Sequence, residues 1–158
     1  MTKSPVFIAV LACLTGSGVL LAAPNFSGEW KLNVAQSQYG PFPAPASMTR
    51  KVDHNGGLIS MTTTQKGSQG DVTSELRYTI DGKPMTNTMP TGEVKGSARW
   101  DGDRLVIESS RQVNDAELKE RDVWTLSADG KTLTIAVHIT LPQQGEFDVK
   151  QVFQKQGQ

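Results

Sequence analysis

The chain has 158 residues with 16 basic and 16 acidic side chains, so its formal net charge is zero. A balanced charge gives no reason to expect nucleic acid or an anionic membrane surface as a partner. The single cysteine excludes a disulfide within the chain. A hydrophobic core must therefore hold the fold, and the length suffices for one such core.

The N-terminal segment, residues 1–22, is typical of a secretory signal. Lys3 provides a positive start, an uncharged run of apolar and small residues follows, and Pro24 comes just after the small residues that begin at Ala22. This order predicts cleavage near Ala22, with a retained anchor as the alternative because the run is just long enough to span a bilayer. We therefore expect an exported protein, periplasmic or extracellular, whose mature domain covers residues 23–158 with no membrane span.

Cys13 lies inside this segment and follows Val10-Leu11-Ala12, which loosely resembles a bacterial lipobox. If that motif were used, a lipid-anchored cysteine would form the mature N-terminus. The apolar stretch before Cys13 is short, and apolar residues resume after it. This arrangement favours Cys13 as an ordinary small residue of the signal.

The mature chain is dominated by the pattern of β-strands. Apolar and β-branched residues alternate with polar ones, Gly, Asn, Asp and Pro break the runs, and no window keeps a helical period. Residues 34–46 are the exception, because three prolines exclude a helix or a central strand and predict a long loop. Ten strands are predicted, near residues 26–33, 47–54, 58–65, 72–80, 84–89, 93–100, 103–113, 116–126, 132–141 and 146–155.

Five short turns predict how these strands pair. Each suits a two-residue hairpin, and the resulting pairs all place apolar residues on one face. Because a slip of one residue would turn the following strands inside out, this agreement predicts one antiparallel sheet, an up-and-down meander that curls into a closed barrel. The predicted pairs are Tyr78 with Met85 across Asp81-Gly82, Met89 with Val94 across Thr91-Gly92, Ala98 with Leu105 across Asp101-Gly102, Leu105 with Trp124 across Asn114-Asp115, and Leu126 with Leu133 across Asp129-Gly130. The predicted inward face comprises Leu76, Tyr78, Met85, Met89, Val94, Ala98, Trp100, Leu105, Ile107, Trp124, Leu126, Leu133, Ile135, Val137 and Ile139.

The same register turns charged side chains inward, where they are costly unless they are paired or wet. Glu120 and Asp122 face the interior, and Arg111 lies diagonal to Glu120. Arg50 faces inward from another hairpin. The predicted neighbours are Ile107 and Val137 for Asp122, Ser109 and Ile139 for Glu120, Gly96 for Asn87, and Thr63, Gln65, Val52 and Met61 around Arg50, with space left beside the small Gly96 and Ala98.

Two explanations of these charges compete. In the first, the arginines pair with the carboxylates and close one end of the barrel as a plug. In the second, they line a wet cavity and orient a small amphiphilic ligand. A third and weaker interpretation is catalysis by Glu120 or Asp122, with a pKa raised by burial. Periodicity determines the face of a side chain and not its depth, so all three stay open.

The remaining candidates do not indicate chemistry. No catalytic or nucleotide-binding motif occurs, and no cofactor or metal is expected. His138 is predicted on the outward face near Arg121, with no second ligand beside it. His54 is predicted to be a turn residue at a hairpin end. Tyr39 and Phe42 in the long loop would either form a lid over the barrel mouth or serve as ordinary packing residues.

The start of the mature domain carries a family resemblance. Gly28-x-Trp30 on the first strand, after the signal and before the long loop, resembles the opening of lipocalins and their calycin relatives, in which the tryptophan packs across the closed end of the barrel. The segments 99–102 (Arg-Trp-Asp-Gly) and 124–127 (Trp-Thr-Leu-Ser) look like a largely uncharacterised family of exported bacterial lipocalin-like proteins, and the likeness covers residues 25–155.

Three departures from that resemblance stand out. The chain has no Thr-Asp-Tyr on a central strand and no arginine on the last strand over Trp30. The first loop lacks the two-helix lid of fatty-acid-binding proteins, although ten strands and inward arginines are similar to theirs. The resemblance implies a barrel with a ligand cavity, and it implies no particular ligand.

We therefore expect an exported, monomeric barrel that binds a small hydrophobic or amphiphilic ligand and is not an enzyme. The inward arginines would engage an acidic head group. The alternatives are an exported inhibitor or interaction protein that acts through residues 34–46, and a barrel enzyme such as an isomerase or lyase. The predicted ligand-binding residues are Arg111, Arg50, Tyr78, Trp100, Trp124, Met85, Asn87, Ile107, Glu120, Asp122, Tyr39 and Phe42.

Overall fold

A computed structural model describes residues 23–67 and 70–157, so the predicted signal segment and Cys13 lie outside the described residues. The fold is all-β, as predicted, and every predicted strand is found. The strands are β1 Gly28–Leu32, β2 Ser47–Asn55, β3 Leu58–Gly67, β4 Gly70–Thr79, β5 Met85–Met89, β6 Gly92–Asp101, β7 Arg104–Val113, β8 Ala116–Leu126, β9 Thr132–Leu141 and β10 Gly145–Lys155. One 3₁₀ helix, Val34–Gln36, follows β1. No helix in the described parts of the chain is long and apolar enough to cross a membrane.

The ten strands form one antiparallel sheet that curls until β1 meets β10. Its order is β4-β3-β2-β1-β10-β9-β8-β7-β6-β5. The two outer strands, β4 and β5, face each other without a backbone ladder. The side chain of Asn87 bridges them instead, because its Oδ1 accepts from the Arg77 amide at 2.8 Å and its Nδ2 donates to the Arg77 carbonyl at 3.2 Å. The barrel is therefore nearly closed.

The predicted pairing of Tyr78 with Met85 is wrong, because no backbone ladder joins β4 to β5. Tyr78 pairs with Ile59 on the other side. Pro84 has no N–H to donate to a ladder, and the Gly82 amide donates to the Ala98 carbonyl at 2.9 Å, which ties the turn to β6.

The pairing of β7, β8 and β9 matches the prediction. Asn114 and Asp115 have φ values of 49° and 64°, as a type I′ turn requires, and Leu105 lies opposite Trp124. The pair Leu126 and Leu133 is also present.

Two other hairpins are shifted by two residues from the prediction. Trp100, not Ala98, pairs with Leu105, because Gly102 with φ 65° is the first turn residue rather than the second. Met89 pairs with Gly92 rather than Val94, which makes Pro90 and Thr91 the turn. A shift of two keeps every side chain on its face. All fifteen predicted inward residues accordingly point into the barrel.

One end of the barrel is filled with aromatic rings, and we call it the aromatic end. Trp30 is fully buried, and its indole N–H donates to the Phe26 carbonyl at 2.9 Å. The Phe26 ring meets Trp124 edge to face, with ring centroids 5.7 Å apart. This is the position that the resemblance implies for the tryptophan.

Lys155 of the last strand lies over Trp30, where the resemblance would place an arginine. Its Nζ lies 5.4 Å from the centre of the Trp30 ring. A Cβ on Gly28 would come within 2.8 Å of Lys155 Cε, and Gly28 has φ 139°. The backbone conformation therefore favours glycine in the Gly28-x-Trp30 motif, whereas the flexible end of Lys155 could move aside for a Cβ.

Candidate functional site

A cavity of about 290 Å³ lies at the opposite end of the barrel, toward the 34–46 segment. We call it the polar cavity. Its charged and amide-bearing residues come mainly from β2, β7, β8 and β10, and its apolar residues mainly from β3 to β6. The lining consists of Met48, Arg50, Met61, Thr63, Gln65, Val72, Ser74, Leu76, Met89, Thr91, Val94, Ser109, Arg111, Glu120, Asp122 and Gln151.

Arg50 is the most constrained residue of this cavity. Its Nε donates to Thr63 Oγ1 at 3.0 Å, and its Cζ lies 5.2 Å from the ring centres of both Trp124 and Phe153. Burial lowers the pKa of the guanidinium, and the nearby Asp122 carboxyl opposes this shift most. A guanidinium remains a cation even so. Its Nη1 is buried and has no hydrogen-bond partner in the described chain.

Arg111 and Glu120, which the register predicted to lie diagonally on the inward face, form an ion pair of the kind that the plug interpretation expects. Arg111 Nη2 lies 3.4 Å from Glu120 Oε1, and each side chain keeps about a third of its surface exposed. Glu120 pairs with Ser109 and Ile139 in the two ladders, as predicted. The Nε of Arg111 is nevertheless buried without a partner among the described residues.

Asp122 lies between Ile107 and Val137, as predicted, and has no such ion pair. In the described ranges, no cationic nitrogen lies within 4.0 Å of its carboxylate. Burial raises the pKa of Asp122 to about 7, and the negative charge of Glu120 adds to the rise. Arg50 and a weak polar contact with the Trp124 indole oppose it. Asp122 therefore titrates near neutral pH.

Two tyrosines point polar atoms toward the same charges. Tyr78 is 1% exposed, and burial, followed by the charges of Asp122 and Glu120, raises the pKa of its hydroxyl to about 12. Burial also raises the pKa of Tyr39, while the Arg50 cation and a polar contact with Gln151 lower it. Tyr78 has a similar polar contact with Asn87, but neither hydroxyl has a partner in hydrogen-bond geometry within residues 23–67 and 70–157.

Unpartnered buried atoms gather at this one place. In the described chain, five buried side-chain atoms have no hydrogen-bond partner, and all five carry a hydrogen to donate. Two belong to residues that line the polar cavity, and the others belong to residues that interact with those lining groups. They are Tyr39 Oη, Arg50 Nη1, Tyr78 Oη, Arg111 Nε and Trp124 Nε1. Buried donors normally have acceptors. Asp122 lies near the Trp124 indole, Gln151 near Tyr39 and Asn87 near Tyr78, but none of them is in hydrogen-bond geometry, so the group has room for further acceptor atoms.

Several predicted ligand-binding residues lie elsewhere. Trp100 packs at the aromatic end, 6.0 Å from Phe26 between ring centres. The side-chain amide of Asn87 is hydrogen-bonded to the Arg77 backbone. Asn87 lies opposite Val94, not Gly96. Trp100 is misplaced because alternation does not give height along the barrel, and Asn87 is misplaced because the β5–β6 hairpin is shifted by two residues.

Three further predicted residues also lie outside the lining. Ile107 is core, Met85 packs beside Thr79 near the turn before β5, and Phe42 packs on Phe147 with ring centres 5.4 Å apart. The expected space beside the small residues of β6 is also absent. A Cβ on Gly96 would come within 2.6 Å of the Glu108 carbonyl, and Ala98 is fully buried.

The sequence interpretation missed some lining residues, notably Met48 and Gln151. Gln151 lies two residues from both Val149 and Phe153, which point inward, and this spacing was the available signal that Gln151 points inward too. The spacing gives only the face of Gln151. Its place beside Arg50 in the cavity depends on the closure of β1 on β10, a long-range pairing that no local turn specifies.

The two histidines lie outside the polar cavity. His138 faces outward opposite Arg121, as predicted, and its Nδ1 is 2.8 Å from Asp148 Oδ1. His54 is buried at the aromatic end, where its Nδ1 accepts from the Phe26 amide at 3.4 Å and burial lowers the pKa of the ring. His54 is thus a packing residue rather than a turn residue. No group of three possible metal ligands occurs in the described residues.

The 34–46 segment is tied to the barrel wall. Gln38 and Lys150 exchange two backbone hydrogen bonds of 2.8 Å, and the Ala46 amide donates to the Lys66 carbonyl at 3.0 Å. Tyr39 and Phe42 pack partly buried against the core. Of the two interpretations of these aromatic residues, the contacts favour ordinary packing.

Comparison with known proteins identifies the fold. No family model matches the chain, and no curated protein matches its sequence. A structure of zebrafish ileal bile acid-binding protein complexed with cholic acid is similar at a TM-score of 0.55 and 20% identity, over 83% of this chain and 98% of that one. The fold is calycin-like.

Two other solved structures share this barrel. A secretory abundant heat soluble protein from Ramazzottius varieornatus has a TM-score of 0.56 at 14% identity, over 82% of this chain and 94% of that one. Human cRBP IV has a TM-score of 0.51 at 15% identity, over 84% of this chain and 99% of that one. At these identities the likeness concerns the architecture.

Proposed function

We propose that the polar cavity binds a small amphiphilic molecule through an acidic head group. The observation that carries this proposal is the set of five buried donors without partners around the cavity. Each unpartnered buried donor costs about 1–3 kcal/mol, so a ligand that supplied several acceptor oxygens would recover a large part of that cost. Carboxylates and sulfonates present such oxygens, and an arginine binds them with strong charge-assisted hydrogen bonds.

The charges of the lining limit the head group to a single negative charge. Glu120 already neutralises Arg111 in part, and Asp122 with a pKa of about 7 is partly protonated at neutral pH. One positive charge, that of Arg50, is left without a close counter-charge in the described chain. A monoanion would balance it, whereas a dianion would be repelled by the two carboxylates.

One of the similar barrels supports this proposal. The zebrafish structure is a complex with cholic acid, which is an acidic amphiphile. The polar cavity of the present chain is at the small end of the usual range for ligand sites, about 300–1,000 Å³. We therefore propose a ligand whose buried part is compact.

The plug interpretation accounts for only part of the arrangement. A plug would pair both arginines with both carboxylates. The described chain shows the pair of Arg111 with Glu120, but Arg50 is stacked between two aromatic rings and has no carboxylate within 4.0 Å. The unpaired Arg50 and Asp122 favour a binding site over a plug.

The replacement Arg111→Ala tests the proposal directly. It should weaken the binding of octanesulfonate, an acid that stays ionised, at least about tenfold by calorimetry, because a charge-assisted hydrogen bond contributes about 1.5–3 kcal/mol. The matched control is Arg104→Ala, which removes an exposed arginine paired with Asp101 at 2.7 Å near the aromatic end. If Arg111→Ala lowered the free energy of unfolding in proportion to the affinity, the residue would be part of a plug.

Native mass spectrometry of protein purified from its own host provides the complementary measurement. A co-purified acid of one mass would identify the ligand. Protein that consistently carries no small molecule and does not bind octanesulfonate would contradict the proposal.

A catalytic role is a second candidate, favoured by one observation. Asp122 lines the cavity and has a pKa of about 7, which suits a general acid or base. The residue-specific titration of Asp122 by NMR checks the premise, and a pKa near 4 would remove this candidate. No observation of the described residues favours an inhibitor that acts through the 34–46 segment, since its backbone is tied to β10 and β3.

We also propose that the protein is exported after cleavage near Ala22 and acts as a monomer. The support for export is the order of charge, apolar run and small residues within 1–22. The mass of the mature protein from the periplasm or medium separates this cleavage from lipidation at Cys13. Light scattering at several concentrations tests the monomer.

A further inference from the structure

The lining of the polar cavity is more polar than a plain hydrocarbon acid requires. Of its sixteen lining residues, ten have polar side chains. Sites for hydrophobic ligands are lined mainly by apolar and aromatic side chains, with only a small number of polar groups. The six apolar lining residues are Met48, Met61, Val72, Leu76, Met89 and Val94. We therefore expect a ligand that has a second polar group besides its acidic head.

Asp122 is an acceptor in this cavity that no side chain of the described ranges serves. The Trp124 indole lies near its carboxyl group but is not in hydrogen-bond geometry. No cationic nitrogen of the described residues lies within 4.0 Å of that group. Part of the Asp122 side chain nevertheless remains accessible, and the residue lines the cavity. A molecule in the cavity can therefore reach the carboxyl group.

Arg50 provides an unpartnered donor close to this acceptor. Its Cζ lies 5.2 Å from the centre of the Trp124 ring, and Asp122 has its polar contact with the same indole. Arg50 and Asp122 thus lie beside one ring, but their charged atoms are more than 4.0 Å apart. That separation is too long for a direct hydrogen bond. A ligand with a carboxylate at one side and a hydroxyl a few bonds away would bridge the two residues.

A hydroxyl suits Asp122 in both of its protonation states. Burial raises the pKa of Asp122 to about 7, so both states are populated near neutral pH. A hydroxyl donates to the carboxylate and accepts from the protonated carboxyl group, whereas an amide N–H can only donate. The second polar group of the ligand is therefore best supplied as a hydroxyl.

We infer that the ligand is a compact hydroxy acid, with its carboxylate at Arg50 and Arg111 and a hydroxyl on a nearby carbon that is hydrogen-bonded to Asp122. This inference rests on the proposed function and narrows its ligand class. The cavity volume of about 290 Å³ equals roughly ten water molecules, so an acid with a short chain fills it. A site that hydrogen-bonds a hydroxyl discriminates against the analogue without it, because the buried polar group of the site then lacks a partner.

Calorimetric titration of three acids with the same six-carbon chain tests this inference. 3-Hydroxyhexanoate should bind the wild-type protein at least about tenfold more tightly than hexanoate, because hydrogen bonds to charged groups are the stronger ones. Its isomer 6-hydroxyhexanoate, whose hydroxyl is far from the carboxylate, should bind no more tightly than hexanoate. Asp122→Ala should bind 3-hydroxyhexanoate and hexanoate with nearly equal affinity.

Two further variants control for this result. Asp122→Asn keeps an amide oxygen that can accept from the hydroxyl, so it should retain part of the preference for 3-hydroxyhexanoate. Glu117→Gln replaces an exposed carboxylate on the same strand, beside Lys119, and should retain all of it. Asp122→Ala should still bind hexanoate, because the change removes a negative charge from an anion site, and this binding shows that the variant is folded.

Other outcomes would overturn the inference while the proposed function stands. Equal affinities of the wild-type protein for hexanoate and 3-hydroxyhexanoate would show that the ligand hydroxyl does not reach Asp122. A preference that survives in Asp122→Ala, or equal affinities for the two isomers, would place the hydroxyl at another group. Binding of octanesulfonate without binding of any of the three acids would also overturn the inference. If neither these acids nor octanesulfonate bound, the proposed function itself would fail.

Discussion

The two ends of the barrel use polar atoms in opposite ways. At the aromatic end, the Trp30 indole and the His54 ring both have protein partners, and the rings fill the space between them. At the polar end, the Arg50 and Arg111 guanidinium groups and two tyrosine hydroxyls keep donors without partners. Trp124 stands between the two, with Phe26 on one side and Arg50 on the other. The comparison indicates that one end stabilises the fold, and the other is the end at which we propose that a ligand binds.

The largest effect is expected from a paired comparison of stability. Trp30→Ala should lower the free energy of unfolding by about 3–5 kcal/mol, because it empties a fully buried site. Arg50→Met should change it by less than about half of that, because replacing a buried charge by an apolar side chain removes a desolvation cost. Denaturation in urea measures both. Equal losses would show that the polar end is as structural as the aromatic end.

A smaller effect, which depends on pH, is expected at Asp122. The carboxyl has a folded pKa of about 7 against an ordinary value of 3.8, so the folded state is favoured while Asp122 is protonated. That contribution is complete below about pH 4 and is lost as the pH rises through 7. Relative to Asp122→Asn, the wild-type protein should thus lose roughly 2–4 kcal/mol of stability between pH 4 and 8. The groups facing Asp122 are Glu120, Arg50 and Tyr78. Replacing any of them would shift the pH range over which this stability is lost.

The control for this pH dependence is Glu117→Gln, which replaces an exposed carboxylate on the same strand beside Lys119. Its stability profile should parallel that of the wild-type protein. A second readout is the binding of octanesulfonate, which should be weaker at pH 8 than at pH 5.5 in the wild-type protein and nearly constant in Asp122→Asn. Identical profiles for wild type and Asp122→Asn would contradict a carboxyl that titrates near 7.

The smallest effect is expected at the seam between β4 and β5. Asn87→Ala removes the two side-chain bonds to the Arg77 backbone and should cost about 1 kcal/mol of stability, since the freed groups can reach water. If the seam limits ligand exchange, the dissociation rate of octanesulfonate should rise more than its association constant falls. Stopped-flow displacement measures the rate. A loss of several kcal/mol would instead place Asn87 in the core of the fold.

Much of this fold could be predicted because the information is local. Alternation places each side chain inside or outside, and the two-residue turn at Asn114-Asp115 sets the pairing that brings Ile107 opposite Asp122. The same alternation predicts that four charged side chains point inward, namely Arg50, Arg111, Glu120 and Asp122. Even the two hairpins that were misplaced by two residues kept the correct face, because side-chain direction repeats every two residues.

The sequence by itself therefore determined the strands, the faces and the identity of the charges inside the barrel. The tertiary structure decided which of them meet. Trp100 and Trp124 both point inward and both contact Phe26, yet only Trp124 also stacks on Arg50. The height of a residue along the axis depends on strand tilt, and its neighbours across the interior depend on the closure of β1 on β10. Both are long-range properties of the closed sheet, so no local pattern could reveal the unpartnered donors around the cavity.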